Sequence, residues 1–570
     1  MRQLGDPVDG RPSRRERTVR RPEGGVGSID ANLGTRATRT GRQAGREGQA
    51  TGDLPLPPPS APLASGVIDG MLIGVLAWAI GVLTLLPALG VSMAALFPTL
   101  LGALCAGGVV GPGVQAALRT GRSRRLPVAV APGPRRGGPP VDRRRVVILG
   151  GGFGGVSAAK RFEQLLPWTP WLDVTLVSQR NYLLFTPMLA EVAAGSVEAG
   201  NVGVPLRAAC PRTRFRRAEV LGVDPDRKVV HLRRGDALET LPYDHLVLAL
   251  GAMPDFRNLP EVTASALTLA TLEDARRLRD HVLGRLEQAD HEPDPAERRR
   301  WLTFVVAGGG FAGTEAVASL FDLVHSVLRY FPNIRAGEPR FLLVHSRDRI
   351  LPELGDRLAG YASGKLVGRG IELRLGVTVA AADADGVELS DGQRVAARTL
   401  VWAAGTRPSP VPVVGPEGGP RADPGQGAVP VDRLLRVRGR DDIWAVGDCA
   451  RVPDLARRGA TCPPTAQHAT RQGKAVADNV VAALTGGAPE PFRFHGLGFL
   501  VPLGRQSAAA ELRGMRFSGL PAWLLWRGIY LWKLPGPQKR LRVLLDWTVE
   551  LLFPRDIALT GPERARQVVE

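Results

Sequence analysis

The sequence predicts an α/β fold built on two parallel-sheet domains, with a helical hairpin before them and an amphipathic helical region after them. Three observations carry the prediction. A continuous apolar run flows into a glycine-rich turn and a helix-like stretch, and the whole pattern recurs once further along. Residues 70 to 118 hold no charged side chain. Near the C-terminus, leucines fall on one face of a helix and charges on the other.

Composition limits what such a chain can be. Its 570 residues are 44% hydrophobic and 23% charged. That suits several globular units and excludes a wholly disordered or collagen-like chain. The net charge of +19 first suggests nucleic acid. Only six of the 74 basic residues are Lys, however, and the Arg bias accompanies 69 Gly and 48 Pro, as in a GC-rich genome. The charge is also concentrated. Arg119 to Arg145 carries nine Arg and one Asp directly after the uncharged run, which reads as a basic collar beside a membrane segment. Nucleic acid is not an expected partner. Four Cys without a Cys-x-x-Cys give no disulfide framework and no metal site.

Taken in order, residues 1–64 read as a disordered basic tail. Residues 65–118 read as a transmembrane helical hairpin, since one span needs about 20 residues and Pro87-Ala88-Leu89-Gly90 offers a turn. Arg-rich flanks place both of its ends in the cytoplasm. The alternative is a buried helix pair, although core helices rarely stay uncharged on every face for so long. Residues 119–142 form an Arg/Pro/Gly linker.

The folded body then begins. Arg145 to Leu149 is a buried-strand pattern that runs into Gly150-Gly151-Gly152-Phe153-Gly154-Gly155. Gly150, Gly152 and Gly155 fit GxGxxG. The first glycine makes a tight turn, and the second lets backbone approach a pyrophosphate. The third lets helix and strand pack closely, with the helix N-terminus facing the phosphate charge. A helix-like stretch to Leu165 and a strand at 173–177 complete a Rossmann-like unit. The second strand ends in Ser178, where an acid would bind ribose hydroxyls.

The pattern recurs at Leu302 to Ala307 with Gly308, Gly310 and Gly313, followed by Glu315, a helix to about Tyr330 and a strand at 340–344. Two such motifs imply two dinucleotides held so that electrons can pass between them. This second strand ends in His345, with Arg340, Arg347 and Arg349 nearby. An acid would repel a 2′-phosphate and an Arg would accept it, so the site leans towards NADPH or relaxed specificity. Solvated surface charge is the other reading of these Arg. Two more buried strands end in Gly251 and in Gly447-Asp448; an Asp there can accept hydrogen bonds from a ribityl chain.

Together these residues resemble the two-dinucleotide-binding-domain flavoproteins, and more narrowly type II NADH dehydrogenase, the non-pumping NADH:quinone oxidoreductase. The resemblance spans about Arg143 to Arg555. It rests on VVILGGGFGG, VSQRNYLLFTPMLAEVAAG, YDHLVLALG, LTFVVAGGGFAGTE, LVWAAG, IWAVGDCA and PTAQHATRQG. It implies FAD on the first GxGxxG and a nicotinamide nucleotide on the second, with the second domain (268–405) inserted in the first (143–267 and 406–485). It implies cofactor contacts from Gly150, Gly152, Phe153, Gly154, Gly155, Ser178, Arg180, Asn181, Gly251, Gly405, Gly447, Asp448 and Gln467. Gly308, Gly310, Gly313, Glu315, His345 and Arg347 go to NAD(P)H. Glu315 matches the acid beside nicotinamide and flavin. Gln467 matches the first Gln of the quinone motif AQxAxQ, whose second Gln is Arg471 here, with Gln472 one place later. Glu315, Gln467 and Arg471 are therefore the expected catalytic residues.

The last region, 486–570, reads as membrane-associated. Trp523, Trp526, Tyr530 and Trp532 cluster with Arg527 and Lys533. A helix over 539–553 follows, with Leu541, Leu544, Leu545, Leu551 and Leu552 on one face and Arg542, Asp546 and Glu550 on the other. Core packing or homodimerisation is the alternative role for that helix.

The expected activity is hydride transfer from NAD(P)H to FAD and two-electron transfer to a membrane quinone, menaquinone or ubiquinone. No proton pumping is expected, because the hairpin carries no charged side chain between Asp69 and Arg119. The expected place is the bacterial cytoplasmic membrane, with the body on the cytoplasmic side. Two rivals stay open. A sulfide:quinone oxidoreductase-like enzyme would need Cys210 and Cys462 to meet. A redox-sensing or scaffolding membrane flavoprotein would turn over slowly.

Overall fold

The computed structural model describes residues 143–410, 427–457 and 459–559. The expected tail (1–64), hairpin (65–118) and linker (119–142) lie outside the described residues.

Two five-stranded parallel sheets organise the body. The first runs Ile443–Ala445, His245–Leu248, Arg144–Leu149, Leu172–Ser178, Arg214–Arg217. Its central strand carries Val146, Val147, Ile148 and Leu149, all fully buried, as a strand covered on both faces must. The second sheet runs Leu267–Thr268, Thr399–Trp402, Thr303–Ala307, Arg340–His345, Ile371–Leu375. All strands of the second sheet fall between two strands of the first, so the chain leaves one sheet, builds the other and returns. An antiparallel pair, Ala252–Pro254 with Thr406–Pro408, carries the two crossings.

Seven helices position the site. α1 (Phe153–Leu165) follows the first glycine turn, and α2 (Leu189–Ala193) lies beyond the second strand. α3 (Leu272–His291) starts at a capping box in which Thr271 accepts the Asp274 amide. α4 (Phe311–Val327) follows the second glycine turn and packs against α2. With its final 3₁₀ turn, it is the one helix among the described residues long and apolar enough to cross a membrane, and half of it is buried in the body. α5 (Ala466–Thr485) is capped by Thr465 and ends at Gly486 in the left-handed conformation. It crosses α1 so closely that a Cβ on Gly473 would lie 2.2 Å from the Gly154 carbonyl oxygen.

The C-terminal region holds more than helices. A three-stranded antiparallel sheet, Gly498–Pro502, Ala508–Leu512 and Met515–Gly519, precedes α6 (Leu520–Lys533) and α7 (Pro537–Leu552). This sheet is not among the expected elements: its strands are five residues each, with three consecutive alanines in the middle one. Its core residues join those of the second domain: Val501, Ala509, Trp526 and Trp547 share one cluster with Phe304, Val317 and Phe341.

α7 is amphipathic in the inverted sense. Two of the three expected charges turn inward: Asp546 accepts from Asn201 Nδ2 at 2.7 Å, and Glu550 accepts from Ser196 Oγ at 2.8 Å, whereas Arg542 stays exposed and Leu544, expected on the outer face, packs partly on the core. Val543 and Trp547 are buried beside them. Leu541, Leu545, Val549, Leu551 and Leu552 face outward, between 46% and 69% exposed.

Candidate functional site

Both glycine turns have the same construction. A Cβ on Gly150 (φ +113°) would lie 2.1 Å from the Ala249 carbonyl oxygen; on Gly308 (φ +108°) it would lie 2.3 Å from that of Ala403. The third glycines, Gly155 and Gly313, would collide at 1.9 and 1.7 Å with the carbonyl oxygens of Gly150 and Gly308. The second glycines differ: nothing lies within 4 Å of a Cβ on Gly152 or Gly310. Each cradle is thus closed beneath and open on the side where a pyrophosphate meets the N-terminus of α1 or α4.

The first cradle is completed by the turn at Gly447-Asp448. The Gly447 amide donates to Gln472 Oε1 at 2.8 Å. Asp448 Oδ1 is buried without a partner, and burial pushes its carboxyl up. A cavity of about 150 Å³ opens beside it, lined by Gly447, Cys462, His468 and Gln472 among others. An orphaned acceptor two residues after Val446, whose side chain would lie 3.2 Å from a Cβ on Gly154 of the open phosphate cradle, fits the hydroxyls of FAD, and the residues present therefore fit that cofactor.

The two Gln roles differ from the motif reading. Gln467 spends its amide on the backbone, donating to Gly498 O at 2.9 Å and accepting from Leu497 N at 3.3 Å. It ties α5 to the start of the C-terminal sheet. Gln472, buried, holds the Asp448 turn instead. Arg471 donates to Gln467 O at 3.2 Å and lies 4.1 Å above the Phe494 ring. Burial lowers its pKa, as burial followed by the Arg471 charge lowers that of Lys533. Neither cation has a carboxylate partner among the described residues.

Glu315, the fifth residue of α4, has its carboxyl raised well above the usual range, first by burial and then by Glu191. Glu191, on α2, is pushed up to about 7 by burial, offset by Arg527 and reinforced by Glu550. It accepts from Trp547 Nε1 at 3.1 Å. Arg527 lies between Trp523 and Trp547, at 4.0 and 4.5 Å, and reaches Glu550 at 3.2 Å. Edge-on rings lead from this cluster to the first cradle: Trp526 on Tyr530, Tyr530 on Phe185, Phe185 on Phe153. On the second cradle, Phe311 stacks on Phe499 at 5.3 Å. The C-terminal region thus touches the second cradle directly and reaches the first through Phe185. Phe185, Glu191, Phe494 and Phe499 belong to this site; Phe185 and Glu191 lie in the segment VSQRNYLLFTPMLAEVAAG without an expected role, and Phe494 and Phe499 carry no motif signal.

The second strand ends sit where expected. A Cβ on Gly151 would lie 2.8 Å from Ser178 Oγ, and one on Gly309 would lie 2.9 Å from His345 Cγ. His345 Nδ1 accepts the Gly309 amide at 3.1 Å, and its Nε2 is buried without a partner. The expected Arg group thins out, however. Arg340 pairs with Glu372 at 2.5 Å and Arg349 pairs with Asp356. These two are engaged by carboxylates on their own surface and are not free for a 2′-phosphate. Arg347 is exposed and lowers the pKa of His345, after burial itself. Arg180 and Asn181 are exposed just past Ser178, and Asn181 O accepts from Leu206 N at 2.8 Å. Gly251 and Gly405 lie at the two crossings: Gly251 O accepts from Ser409 N at 2.9 Å and Gly405 O from Asp255 N at 3.1 Å.

Three thiols are free. Cys210 lies under α1, with Val156 O 3.9 Å away, while Cys462 faces Pro453 O at 3.8 Å. Burial pushes them up to about 12 and about 11, and they sit on different elements. The pair that a sulfide-oxidising reading needs is not assembled here. Cys105 lies outside the described residues.

Comparison with known proteins agrees with this architecture. Residues 144–473 match the pyridine nucleotide-disulphide oxidoreductase family. A type II NADH:quinone oxidoreductase of Mycobacterium tuberculosis is 31% identical over 441 residues, covering 74% of this chain and 91% of that protein. The mitochondrial internal alternative NAD(P)H-ubiquinone oxidoreductase A1 of Arabidopsis thaliana is 30% identical, covering 73% and 86%. The structure of NDH2 from Plasmodium falciparum in complex with NADH shares the fold, with a TM-score of 0.66 at 19% identity, over 73% of this chain and all of that one. The chain belongs to the pyridine nucleotide-disulphide oxidoreductases and, within them, to the type II NADH:quinone oxidoreductases.

Proposed function

We propose that this protein is an FAD-dependent NAD(P)H:quinone oxidoreductase that works without pumping protons. The observation that carries the reading is the pair of open glycine cradles in one chain, the first packed against the segment Val446-Gly447-Asp448 with its unpartnered Asp448 oxygen. Gly150, Gly152, Gly155 and Asp448 would hold FAD; Gly308, Gly310, Gly313 and His345 would hold the nicotinamide nucleotide. Bound there, FAD supplies a hydride acceptor that can return its electrons to a quinone.

The protein supplies orientation and exclusion of water. Phe153 and Phe311, packed on Phe185 and Phe499, close the two cradles towards the C-terminal region. Glu315 holds a proton at a pH where an exposed Glu would not. Arg471 and Lys533 bring positive charge to the end of α5 that carries Gln467, which favours an acceptor gaining negative charge. The domain assignment follows: 143–267 with 406–485 for FAD, 268–405 for NAD(P)H, 486–570 for the membrane. The outward leucines of α7 support docking of the body on the cytoplasmic face of a bacterial membrane, with the 65–118 hairpin as a permanent tether.

The test is nucleotide oxidation by the flavin-loaded protein, with NADH and NADPH in parallel, with and without a short-chain menaquinone or ubiquinone. Fast quinone-dependent oxidation is expected. Flavin bleaching without quinone-dependent turnover would make the protein a redox sensor instead. Deleting residues 1–140 tests the tether. Release into the soluble fraction is expected if the hairpin holds the protein; retention would assign the hold to α7.

A further inference from the structure

A second cavity, of about 410 Å³, opens between the C-terminal half of α4 and the end of α7. No residue of either glycine cradle lines it. One wall is apolar: Leu551, Leu552 and Phe553 are 53%, 69% and 62% exposed. The other is basic, with Arg329, Arg505, Arg555 and His325.

Two carboxylates, Asp322 and Glu550, also line the cavity, and both are already engaged. Asp322 pairs with Arg369 and accepts from Arg505 N at 2.8 Å. Glu550 accepts from Ser196 Oγ at 2.8 Å, from Arg527 at 3.2 Å and from Arg555 at 2.6 Å. Two of the cations are in the opposite condition, and the third, Arg555, is engaged by Glu550 through one nitrogen only. Neither Arg329 nor Arg505 has a carboxylate partner among the described residues; Arg329 reaches the hydroxyl and lies over the ring of its neighbour Tyr330. The Arg555 side chain is 9% exposed, and its Nη1 is buried with no hydrogen-bond partner. A buried guanidinium donor without an acceptor carries an unrelieved desolvation cost. Guanidinium forks are the donors best matched to the oxygens of a phosphate.

The apolar wall decides between sources of such an oxyanion. A free phosphate gains nothing from Leu551, Leu552 and Phe553. A phospholipid can lay its chains there, continuous with the outward leucines of α7. We propose that this cavity binds the phosphate of an anionic membrane lipid, through Arg329, Arg505 and Arg555. The proposal rests on reading the outer face of α7 as a membrane contact. It adds to that reading a defined headgroup site on the body.

The test uses the detergent-purified full-length protein and native mass spectrometry, titrated with phosphatidylglycerol, phosphatidylcholine and inorganic phosphate. One tight phosphatidylglycerol adduct is expected, at least tenfold favoured over phosphatidylcholine and not displaced by millimolar phosphate. Arg329→Gln with Arg505→Gln should weaken it about 30-fold, taking roughly 1 kcal/mol per cation. Both residues are exposed, so folding is not at stake. Arg227→Gln, 84% exposed on another surface, should leave the adduct unchanged. An adduct indifferent to the double substitution, or equal for both lipids, would overturn the site. Displacement by phosphate would reassign it to the free anion. Failure of the membrane reading shows separately: with residues 1–140 deleted, residual vesicle binding would then be unchanged by Leu541→Ser with Leu545→Ser.

Discussion

His345 accepts the Gly309 amide on Nδ1 at 3.1 Å, which leaves Nε2 to carry the ring proton. Nε2 is buried without a partner, so it is a donor awaiting an acceptor. A carboxylate at this strand end accepts from ribose hydroxyls and repels a 2′-phosphate. A histidine fixed as a donor, with Arg347 two residues on, does the reverse. NADPH should therefore be used at least as well as NADH. His345→Glu should lower kcat/KM for NADPH by about 10- to 100-fold, the weight of one or two charge-assisted bonds. NADH should change by less than about threefold. Steady-state kinetics with both nucleotides check this; equal losses for the two would deny His345 any part in specificity.

Much of this is legible in the sequence, because it is local. Val146 to Leu149 and Phe304 to Ala307 are apolar runs that end in glycine, and both became central strands with the expected turns. What is not legible depends on partners distant in the chain. The helical pattern of α7 separates leucines from charges but does not say which face turns inward. Ser196, Asn201 and Arg527 decide that by binding Asp546 and Glu550. Spacing likewise marks Gln467 for the acceptor, whereas the backbone of Leu497 and Gly498 takes its amide and Gln472 supports the Asp448 turn. Arg340 and Arg349 look available until Glu372 and Asp356 are placed beside them.

Glu191 gives a pH-dependent prediction. Its carboxyl rises from 4.5 to about 7, first through burial, against the pull of Arg527 and with the push of Glu550. The folded protein thus holds a proton that the unfolded chain releases between these values. Stability falls as pH rises through that window, and the penalty is complete above about 7. Glutamine copies the neutral acid and can still accept from Trp547. Glu191→Gln should match the parent near pH 5 and exceed it by about 1–3 kcal/mol at pH 8. Urea unfolding at the two pH values decides it. A less stable variant at pH 8 would mean that the Arg527 pair outweighs burial.

Gly473 and Gly152 should fail in different ways. A Cβ on Gly473 meets two backbone atoms, Gly154 O at 2.2 Å and Ala158 N at 3.0 Å. No side chain can swing aside, so α5 must lift from α1 and take the Gly447 turn with it. Gly473→Ala should cost about 1–3 kcal/mol and yield protein short of flavin. Gly152→Ala adds a Cβ in open space, so the flavin-free fold should melt as the parent does while flavin content falls. The flavin-to-protein ratio and the melting temperature of stripped protein, measured together, separate steric damage from a blocked phosphate site.

Arg471 gives a prediction for the proposed second half of the reaction. It stacks on Phe494 at 4.1 Å, without a carboxylate partner among the described residues, on the helix that carries Gln467. An acceptor that takes up electrons there gains negative charge beside a partly desolvated cation, and such stabilisation acts only as the charge develops. Arg471→Gln should therefore slow quinone-dependent turnover by about tenfold, a typical weight for one electrostatic group at a partly exposed site. Bleaching of bound flavin by NADH or NADPH, which does not involve this end of α5, should stay within about twofold. Stopped-flow measurement of the two half-reactions reads both rates. A variant with faster quinone reduction would show that the cation obstructs the acceptor, and one with slower bleaching would place Arg471 in flavin binding.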